Sequence, residues 1–347
     1  MVDHKIAMNL NRRFWEDGPV GDHWQTSPII TRHPKNPVLT AADVPYESDL
    51  VMNAGVIKYH GRYAMVFRND LHISETQVAE GINLGLAFSD DGIHWKVEDQ
   101  PCFDMHSDEI INTYDPRLQI VEGRVLMTFG MDTRHGVRGG MAWTEDFVNF
   151  DVISISAPDN RNFVVFPEKF NDKYIRLERP FPIYGRIGYP ERFDIWISQS
   201  PDLVHWGRHD LLLGVEDVPF ANQKLGPGAP PLKTPAGWLT VFHASDYDAL
   251  RRKNGFEENW KKRYSAGIML LDLDDPQKMK GMSQSPLIVP ESPYETTEGY
   301  RHHVVFPTGL ILEDSGEVKI YYGAADTVVA LATAHVDDLI RLCDSPV

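Results

Sequence analysis

Charged and polar side chains stand next to apolar runs at several points along this chain of 347 residues. Such groups beside a buried strand cost free energy unless they are paired or used. Carboxylates that lie beside cations in a cleft have shifted pKa values, which makes them candidates for acid–base chemistry. The candidates are Asn53, Arg68, Asp70, Tyr114, Asp115, Arg161, Arg179, Lys224, His243 and Asp326.

Each candidate also has a purely structural interpretation. An Asp-Pro step commonly starts a turn, and a histidine that ends an apolar strand is typical of a core. The structural alternatives are a turn for Asp115 and Asp326, a loop for Arg161 and Lys224, a surface ion pair for Arg179 and a core position for His243. Polar residues at corresponding strand ends of five repeats favour function over these alternatives.

The elements that must position the candidates repeat along the chain. Two apolar strands joined by a tight turn occur in 54–68, 115–130, 163–180, 229–243 and 304–323. The turns carry the small or polar residues that hairpins need, namely His60-Gly61, Glu122-Gly123, Asn171-Asp172, Ala236-Gly237 and Ser315-Gly316. A further strand and turn follow in 86–95, 141–150 and 195–206, with weaker matches in 267–276 and 330–339.

Five antiparallel units of this kind predict an all-β fold, a five-bladed β-propeller. Helical periodicity is weak throughout, and the chain contains 24 Pro and 26 Gly. A two-sheet sandwich and a pair of β domains are the alternatives. Because no linker is evident, we expect residues 1–347 to form a single domain. Residues 1–35 would be an N-terminal arm that helps to close the ring or mediates contacts in a possible homo-oligomer.

The composition limits the partners and the location. The 34 Lys and Arg against 50 Asp and Glu give a net charge of −16 with His neutral, which argues against nucleic acid and against an anionic membrane surface. No apolar run reaches the roughly 18 residues that cross a bilayer. The segment 1–13 lacks the apolar stretch of a signal peptide, so a cytoplasmic location is expected. Cys102 and Cys343 are expected to be reduced thiols.

Motifs of other enzyme classes do not occur in the sequence. There is no G-x-G-x-x-G after a strand, no Walker loop, no G-x-S-x-G and no H-E-x-x-H. The adjacent His302 and His303 are poorly spaced for binding one metal ion. We therefore expect neither a metal nor an organic cofactor.

Several segments resemble glycoside hydrolase family 130, the β-mannoside phosphorylases. They are YDPRL (114–118), DNRNFVVFPEKFNDKYIRLERP (159–180), KLGPGAPPLKTPAGWLTVFHA (224–244), LLDLDDP (270–276), FPTG (306–309) and YYGAADT (321–327). The resemblance runs from about Asn36 to Ile340, in family order. It implies a five-bladed propeller, as the repeats do. It also implies inverting phosphorolysis of a β-mannoside by inorganic phosphate, which gives α-mannose 1-phosphate and a shortened sugar.

The resemblance implies a role for each candidate. Asp115 is similar to the family's general acid, whose proton passes through a mannose hydroxyl. Asn53, Arg68, Asp70, Tyr114 and Asp326 would hold the mannosyl unit, and Arg161, Arg179, Lys224 and His243 would hold phosphate. These residue types suit phosphorolysis, because phosphate is itself an anionic nucleophile. It needs cations around it rather than the carboxylate base that activates water in an inverting glycosidase.

The sequence also departs from the family pattern. Ala54 stands where a small hydroxylated residue often follows the first Asn, the segment 183–196 lacks an Asn-Gly-His stretch, and the insertion 245–265 differs. The linkage, β-1,4 or β-1,2, and the acceptor, glucose, mannose or N-acetylglucosamine, therefore stay open. Two other functions are weighed: an inverting β-mannosidase with Glu191 or Asp194 as the base, and a sugar-binding propeller without catalysis.

Overall fold

Antiparallel hairpins pair into five sheets that form the blades of a β-propeller, which confirms the predicted fold class. The computed structural model describes residues 20–73, 79–182, 193–251 and 260–344. Numbered along the chain, the first strand is β1 (Thr31–Arg32), and the first blade contains β2 (Leu50–Tyr59), β3 (Arg62–Ile73), β4 (Ala79–Ser89) and β5 (Lys96–Val97). The second contains β6 (Ile110–Val121), β7 (Arg124–Thr133), β8 (Gly136–Thr144) and β9 (Asp151–Ile155).

The remaining blades follow the same plan. The third contains β10 (Asn160–Val165), β11 (Tyr174–Pro180), β12 (Ile195–Ser200) and β13 (Gly207–Leu213). The fourth contains β14 (Lys224–Pro227), β15 (Leu232–Thr234), β16 (Gly237–Tyr247), β17 (Lys262–Leu271) and β18 (Met279–Met282). The fifth contains β19 (Val305–Leu312), β20 (Glu317–Ala324) and β21 (Val328–His335). Helices are short: α1 (Pro293–Thr296), α2 (Val336–Leu342) and two 3₁₀ turns, Ala41–Asp43 and Val215–Asp217.

The start of the described chain completes the last blade. β1 pairs antiparallel with β21, with Thr31 opposite Thr333 and Arg32 opposite Ala332. Because β1 becomes the outer strand of the fifth blade, the beginning and the end of the chain share one sheet and close the ring. No helix in the described ranges is long and apolar enough to cross a membrane.

Three of the five predicted hairpin turns have positive φ at both central residues. His60-Gly61 and Glu122-Gly123 both have positive φ at the two central positions, 49° and 78° in the first and 51° and 77° in the second. This is the type I′ pattern, whose twist matches that of the flanking strands. Asn171-Asp172 repeats it with φ of 49° and 61°.

Apolar side chains pack between each pair of neighbouring blades. Five separate clusters fill these interfaces around the ring. Between the third and fourth blades, for example, the rings of Phe166 and Trp238 meet edge to face at 5.3 Å. This packing leaves the inner strand ends of all the blades facing a common axis, where polar residues can meet.

In each of the first three blades, the first strand contains a bulge next to that axis. The register shifts between Met52 and Gly55, between Tyr114 and Arg117, and between Arg161 and Val164. Within the bulges, Asn53, Asp115 and Asn162 adopt left-handed backbone with φ of 49°, 53° and 60°. Asn and Asp tolerate this conformation better than other side-chain-bearing residues, and a bulge re-aims a side chain next to a site.

Candidate active site

A cavity of about 320 Å³ lies on the propeller axis and takes lining residues from all five blades. Seven of the ten candidates line it: Asn53, Arg68, Asp115, Arg161, Arg179, Lys224 and Asp326. The other three, Asp70, Tyr114 and His243, are buried, and each contacts a lining arginine. The structure thus brings all ten together. Seven line the cavity, and the other three lie behind the lining and contact its arginines.

Asp115 is held on two sides. Asn53 Nδ2 donates a hydrogen bond of 2.8 Å to its Oδ1, and Arg68 Nη1 lies 3.7 Å from the same oxygen. Burial opposes ionisation of the carboxyl, but the charges of Arg68, Arg117 and Arg161 outweigh it, so the pKa of Asp115 is lowered. Asp115 is therefore a carboxylate in the empty site at neutral pH.

Arg68 is fixed by a bidentate ion pair with Asp70. Arg68 Nε and Nη2 donate to the two carboxylate oxygens of Asp70 at 2.5 and 2.7 Å. Both residues belong to β3, where they stand two positions apart and point the same way. Burial works against the charge on Arg68, but Asp70, Asp115 and Asp326 together raise the pKa of the guanidinium. Asp70 thus holds Arg68 beside Asp115.

Two arginines stand directly opposite each other in the third blade. Arg161 of β10 and Arg179 of β11 are cross-strand partners, and both side chains are buried or nearly so. Like charges in this position destabilise a sheet. Burial and the charge of Arg161 lower the pKa of Arg179 to about 9. Moreover, Nε of Arg161 and both Nε and Nη2 of Arg179 have no hydrogen-bond partner in the described structure. Such a pair is suited to an anion that neutralises both arginines.

His243 supports Arg179 as a neutral ring. Its Nε2 lies 3.2 Å from Arg179 Nη1, and its ring stacks on Phe306 at 4.2 Å. Burial and the neighbouring arginines lower the pKa of His243 well below its usual value. His243 therefore orients Arg179 and adds no charge. Gly226 makes room for it, because a Cβ there would lie 2.3 Å from His243 Cε1.

Lys224 completes the cationic side of the cavity. Its ammonium lies 4.3 Å from the centre of the Phe193 ring. Burial, Lys262, Arg179 and Arg161 together lower the pKa of Lys224 to about 6. Lys224 is therefore mostly neutral at neutral pH, and an anion bound beside it would favour the charged ammonium form.

Tyr114 connects Arg161 to a carboxylate outside the cavity. Arg161 Nη1 donates to the Tyr114 hydroxyl at 2.9 Å, and that hydroxyl donates to Asp132 Oδ1 at 2.7 Å. The chain of contacts fixes the direction of Arg161. The observed contacts of Tyr114 are thus on the cation side of the site, whereas the resemblance implies a contact with the mannosyl unit.

Several lining residues have no counterpart among the sequence candidates. They are Asn162, Trp260, Lys262, Tyr264, Arg301, Val304 and Phe306. Arg301 Nη1 donates to Asp326 Oδ2 at 3.0 Å, while burial raises the pKa of Asp326. Trp260 is buried against Tyr264, with ring centres 5.8 Å apart. Lys262 belongs to the insertion 245–265 and Arg301 precedes the hairpin 304–323, so neither stood at one of the strand ends that identified the candidates.

The chain matches a known protein family over nearly its whole length. The sequence model of glycoside hydrolase family 130, described as beta-1,4-mannooligosaccharide phosphorylase, matches residues 24–345. The chain belongs to glycoside hydrolase family 130. This membership confirms the resemblance and the expected enzyme class, a glycoside phosphorylase.

The names of similar proteins in family 130 specify different glycosidic linkages, β-1,4 and β-1,2. A beta-1,4-mannooligosaccharide phosphorylase of Ruminococcus albus is 33% identical over 94% of this chain and 93% of its own. A beta-1,2-mannobiose phosphorylase of Listeria innocua is 32% identical over 74% of this chain and 67% of its own. The solved structure of a Listeria innocua enzyme of that name, in complex with beta-1,2-mannobiose, is similar with a TM-score of 0.76 and 26% identity. It covers 91% of this chain and 99% of that one.

Of the two residues considered for a hydrolytic base, Asp194 is described by the structure. Asp194 accepts a hydrogen bond from the Val215 backbone at 2.9 Å and is not among the residues that line the cavity. Glu191 falls outside the described residues, as do parts of the segments 183–196 and 245–265. In the described ranges, no group of three His, Cys, Asp or Glu side chains is arranged to hold a metal ion.

Proposed function

We propose that this protein catalyses inverting phosphorolysis of a β-mannoside, using inorganic phosphate to give α-mannose 1-phosphate and a shortened sugar. Membership of family 130 supports this class of reaction. The proposal assigns Asp115 as the general acid, Arg161, Arg179 and Lys224 as phosphate ligands, and Asn53, Arg68 and Asp326 as ligands of the mannosyl unit. Asp70, Tyr114 and His243 hold these residues in place.

The opposed arginines carry this proposal. Arg161 and Arg179 are cross-strand partners with unsatisfied N–H groups beside the same cavity as Asp115. A hydrolase needs a carboxylate base to activate water. A phosphorylase needs a cationic site for a nucleophile that is already an anion. The buried pair of like charges fits the second requirement.

The proposed reaction exchanges one bond to the anomeric carbon for another. A phosphate oxygen forms a bond to that carbon while the bond to the glycosidic oxygen breaks on the opposite face, so the configuration inverts. The leaving oxygen takes a proton from a mannose hydroxyl, and that hydroxyl takes the proton of Asp115. The cations around phosphate hold its oxygens in place and contribute by orientation and by electrostatic stabilisation.

Asp115 must gain a proton before it can act. In the empty site Arg68, Arg117 and Arg161 keep it ionised. Bound phosphate offsets the charge of Arg161 and Arg179, and this raises the pKa of the neighbouring carboxyl. Phosphate therefore prepares the acid as well as supplying the nucleophile.

A sugar panel tests the proposal and assigns the linkage. β-1,4-mannobiose, β-1,2-mannobiose, mannosyl-glucose and mannosyl-N-acetylglucosamine are each incubated with and without phosphate. We propose β-1,4-linked mannooligosaccharide as the substrate, because the Ruminococcus albus relative matches 94% of this chain. Phosphate-dependent release of mannose 1-phosphate from β-1,4-mannobiose is the expected result. Release from the β-1,2-linked sugar alone would reassign the linkage, and free mannose without phosphate would indicate hydrolysis.

A further inference from the structure

Arg117 lies beneath the cavity, two residues after Asp115 on the same strand. Its side chain is only 2% exposed and is not part of the cavity lining. Bound phosphate and sugar would therefore not contact it. An arginine in such a place needs a reason, because a buried charge costs free energy unless it is compensated.

The contacts of Arg117 run across the propeller axis. Its Nε donates to the backbone oxygen of Gly228 in the fourth blade at 2.6 Å, and its Nη1 donates to the backbone oxygen of Asp115 at 2.7 Å. The guanidinium carbon lies 5.6 Å from the centre of the Phe306 ring in the fifth blade. Because Phe306 also stacks on His243, Arg117 links the acid to the phosphate side of the site.

Arg117 contacts Asp115 through the backbone oxygen, and its charge favours ionisation of the Asp115 carboxyl. None of its hydrogen bonds within the described ranges goes to a carboxylate. Burial lowers the pKa of Arg117 to about 10, and Asp115 is the acid that opposes this shift. Arg117 thus stays charged at neutral pH and lies close to one catalytic carboxylate.

Other charged groups also face Asp115, and they differ from Arg117 in one respect. They are Arg68, Arg161, Arg179, Asp326 and the hydroxyl of Tyr114. Asp70 already pairs with Arg68, and under the proposed function phosphate neutralises Arg161 and Arg179. Arg117 does not line the cavity, so phosphate bound there would not pair with it.

We propose that Arg117 is a positioning residue for the reaction. It fixes the left-handed backbone of Asp115 to the opposite side of the axis, and its charge holds the Asp115 carboxyl ionised in the empty site. This inference rests on the proposed function for its catalytic meaning. The placement of Asp115 and its ionisation can be measured without any turnover.

Two variants separate the charge of Arg117 from its hydrogen bonds. Arg117→Met removes both, whereas Arg117→Lys keeps the charge and loses the forked geometry. The carboxyl carbon of Asp115 is titrated by NMR in protein labelled with ¹³C-aspartate, without sugar or phosphate, and its resonance is assigned with Asp115→Asn. The pH profile of kcat/KM is measured in parallel.

The titration midpoint of the Asp115 carboxyl is expected to rise by about one to three pH units in Arg117→Met. In Arg117→Lys this midpoint should stay near the wild-type value. The falling limb of kcat/KM at high pH should move upward in Arg117→Met as well. Arg117→Lys should lose kcat more than it changes either KM. An unchanged Asp115 midpoint in Arg117→Met, or wild-type kcat in Arg117→Lys, would overturn the proposal.

The design keeps this inference separate from the proposed function. Wild-type enzyme that makes no mannose 1-phosphate would contradict the proposed function. The NMR titration would still test whether Arg117 controls the ionisation of Asp115. If Arg117→Met does not fold, Arg117→Gln replaces it, since Gln lacks the charge but still donates a hydrogen bond. Loss of activity in proportion to the unfolded fraction, with no movement of the midpoint, would leave Arg117 a structural residue and refute the proposal.

Discussion

Asn53 and Asp115 occupy equivalent bulges in neighbouring blades, and Asn53 Nδ2 donates to Asp115 Oδ1 at 2.8 Å. Both residues have left-handed backbone, with φ of 49° and 53°. The contact leaves Asn53 Oδ1 buried without a hydrogen-bond partner in the described structure, and that oxygen packs against Gly323, where an added Cβ would lie 2.1 Å from it. The Asn53 amide thus connects the Asp115 carboxylate of the second blade to β20 of the fifth.

Asp115→Asn should abolish turnover without unfolding the protein. Asn tolerates the left-handed backbone of the bulge, but it has no proton to pass to the leaving sugar. We expect kcat to fall by about a hundred- to ten-thousandfold, measured as mannose 1-phosphate release. Asp90→Asn is the control, because the Asp90 side chain is 88% exposed. Near-normal activity of Asp115→Asn would remove Asp115 from the acid role.

Arg161→Ala and Lys224→Ala should each weaken the binding of phosphate selectively. Hydrogen bonds to charged groups are worth about 1.5–3 kcal/mol, so the KM for phosphate should rise about ten- to hundredfold. The KM for the sugar should change far less. Initial rates over both substrates measure this, with the half-exposed Arg62→Ala as the control. Equal increases in the two KM values would contradict the assignment of these cations to phosphate.

Phosphate binding should be coupled to protonation of Lys224. Burial and nearby cations lower the pKa of Lys224 to about 6 in the empty site, so it is mostly neutral at pH 7.5. A bound anion favours the ammonium and raises that pKa, so a proton is taken up. Calorimetry in buffers of different ionisation enthalpy should show more protons taken up per phosphate bound by the wild type than by Lys224→Met. Identical proton counts for the two proteins would be inconsistent with this coupling.

Gly226→Ala should disturb the phosphate site through His243. The added Cβ would lie 2.3 Å from His243 Cε1, so the ring must move and its contact with Arg179 is lost. We expect a higher KM for phosphate and a lower Tm. Gly207→Ala is a matched control, since a Cβ there meets no atom within 4 Å. A wild-type KM in Gly226→Ala would show that the position of His243 does not matter for phosphate.

Local patterns predicted the fold well. The hairpins and their turns depend on residues a few positions apart, and the Gly in His60-Gly61 and in Glu122-Gly123 permits the positive φ that these turns adopt. Closure of the ring by β1 depends on pairing between the two ends of the chain. The arm was expected to help close the ring, but no local signal marks Thr31–Arg32 as the strand that does it.

The site was predictable as a set of residues but not as an arrangement. Strand ends identified the ten candidates, whereas the division between the lining and the layer behind it depends on the bulges. The neutrality of His243 arises from burial among arginines of other strands. Arg117 was part of the YDPRL motif, yet its contact with Gly228 spans 111 positions and cannot be inferred from spacing.

The most direct test of the phosphorolysis follows the reaction by ³¹P and ¹H NMR with β-1,4-mannobiose, in the presence and absence of inorganic phosphate. Inverting phosphorolysis predicts that the first product is the α anomer of mannose 1-phosphate, formed in equal amount with mannose and only when phosphate is present. Release of two mannose molecules at a rate independent of phosphate would contradict it. So would a β anomer as the first product, because direct displacement by a phosphate held opposite the leaving sugar inverts the configuration.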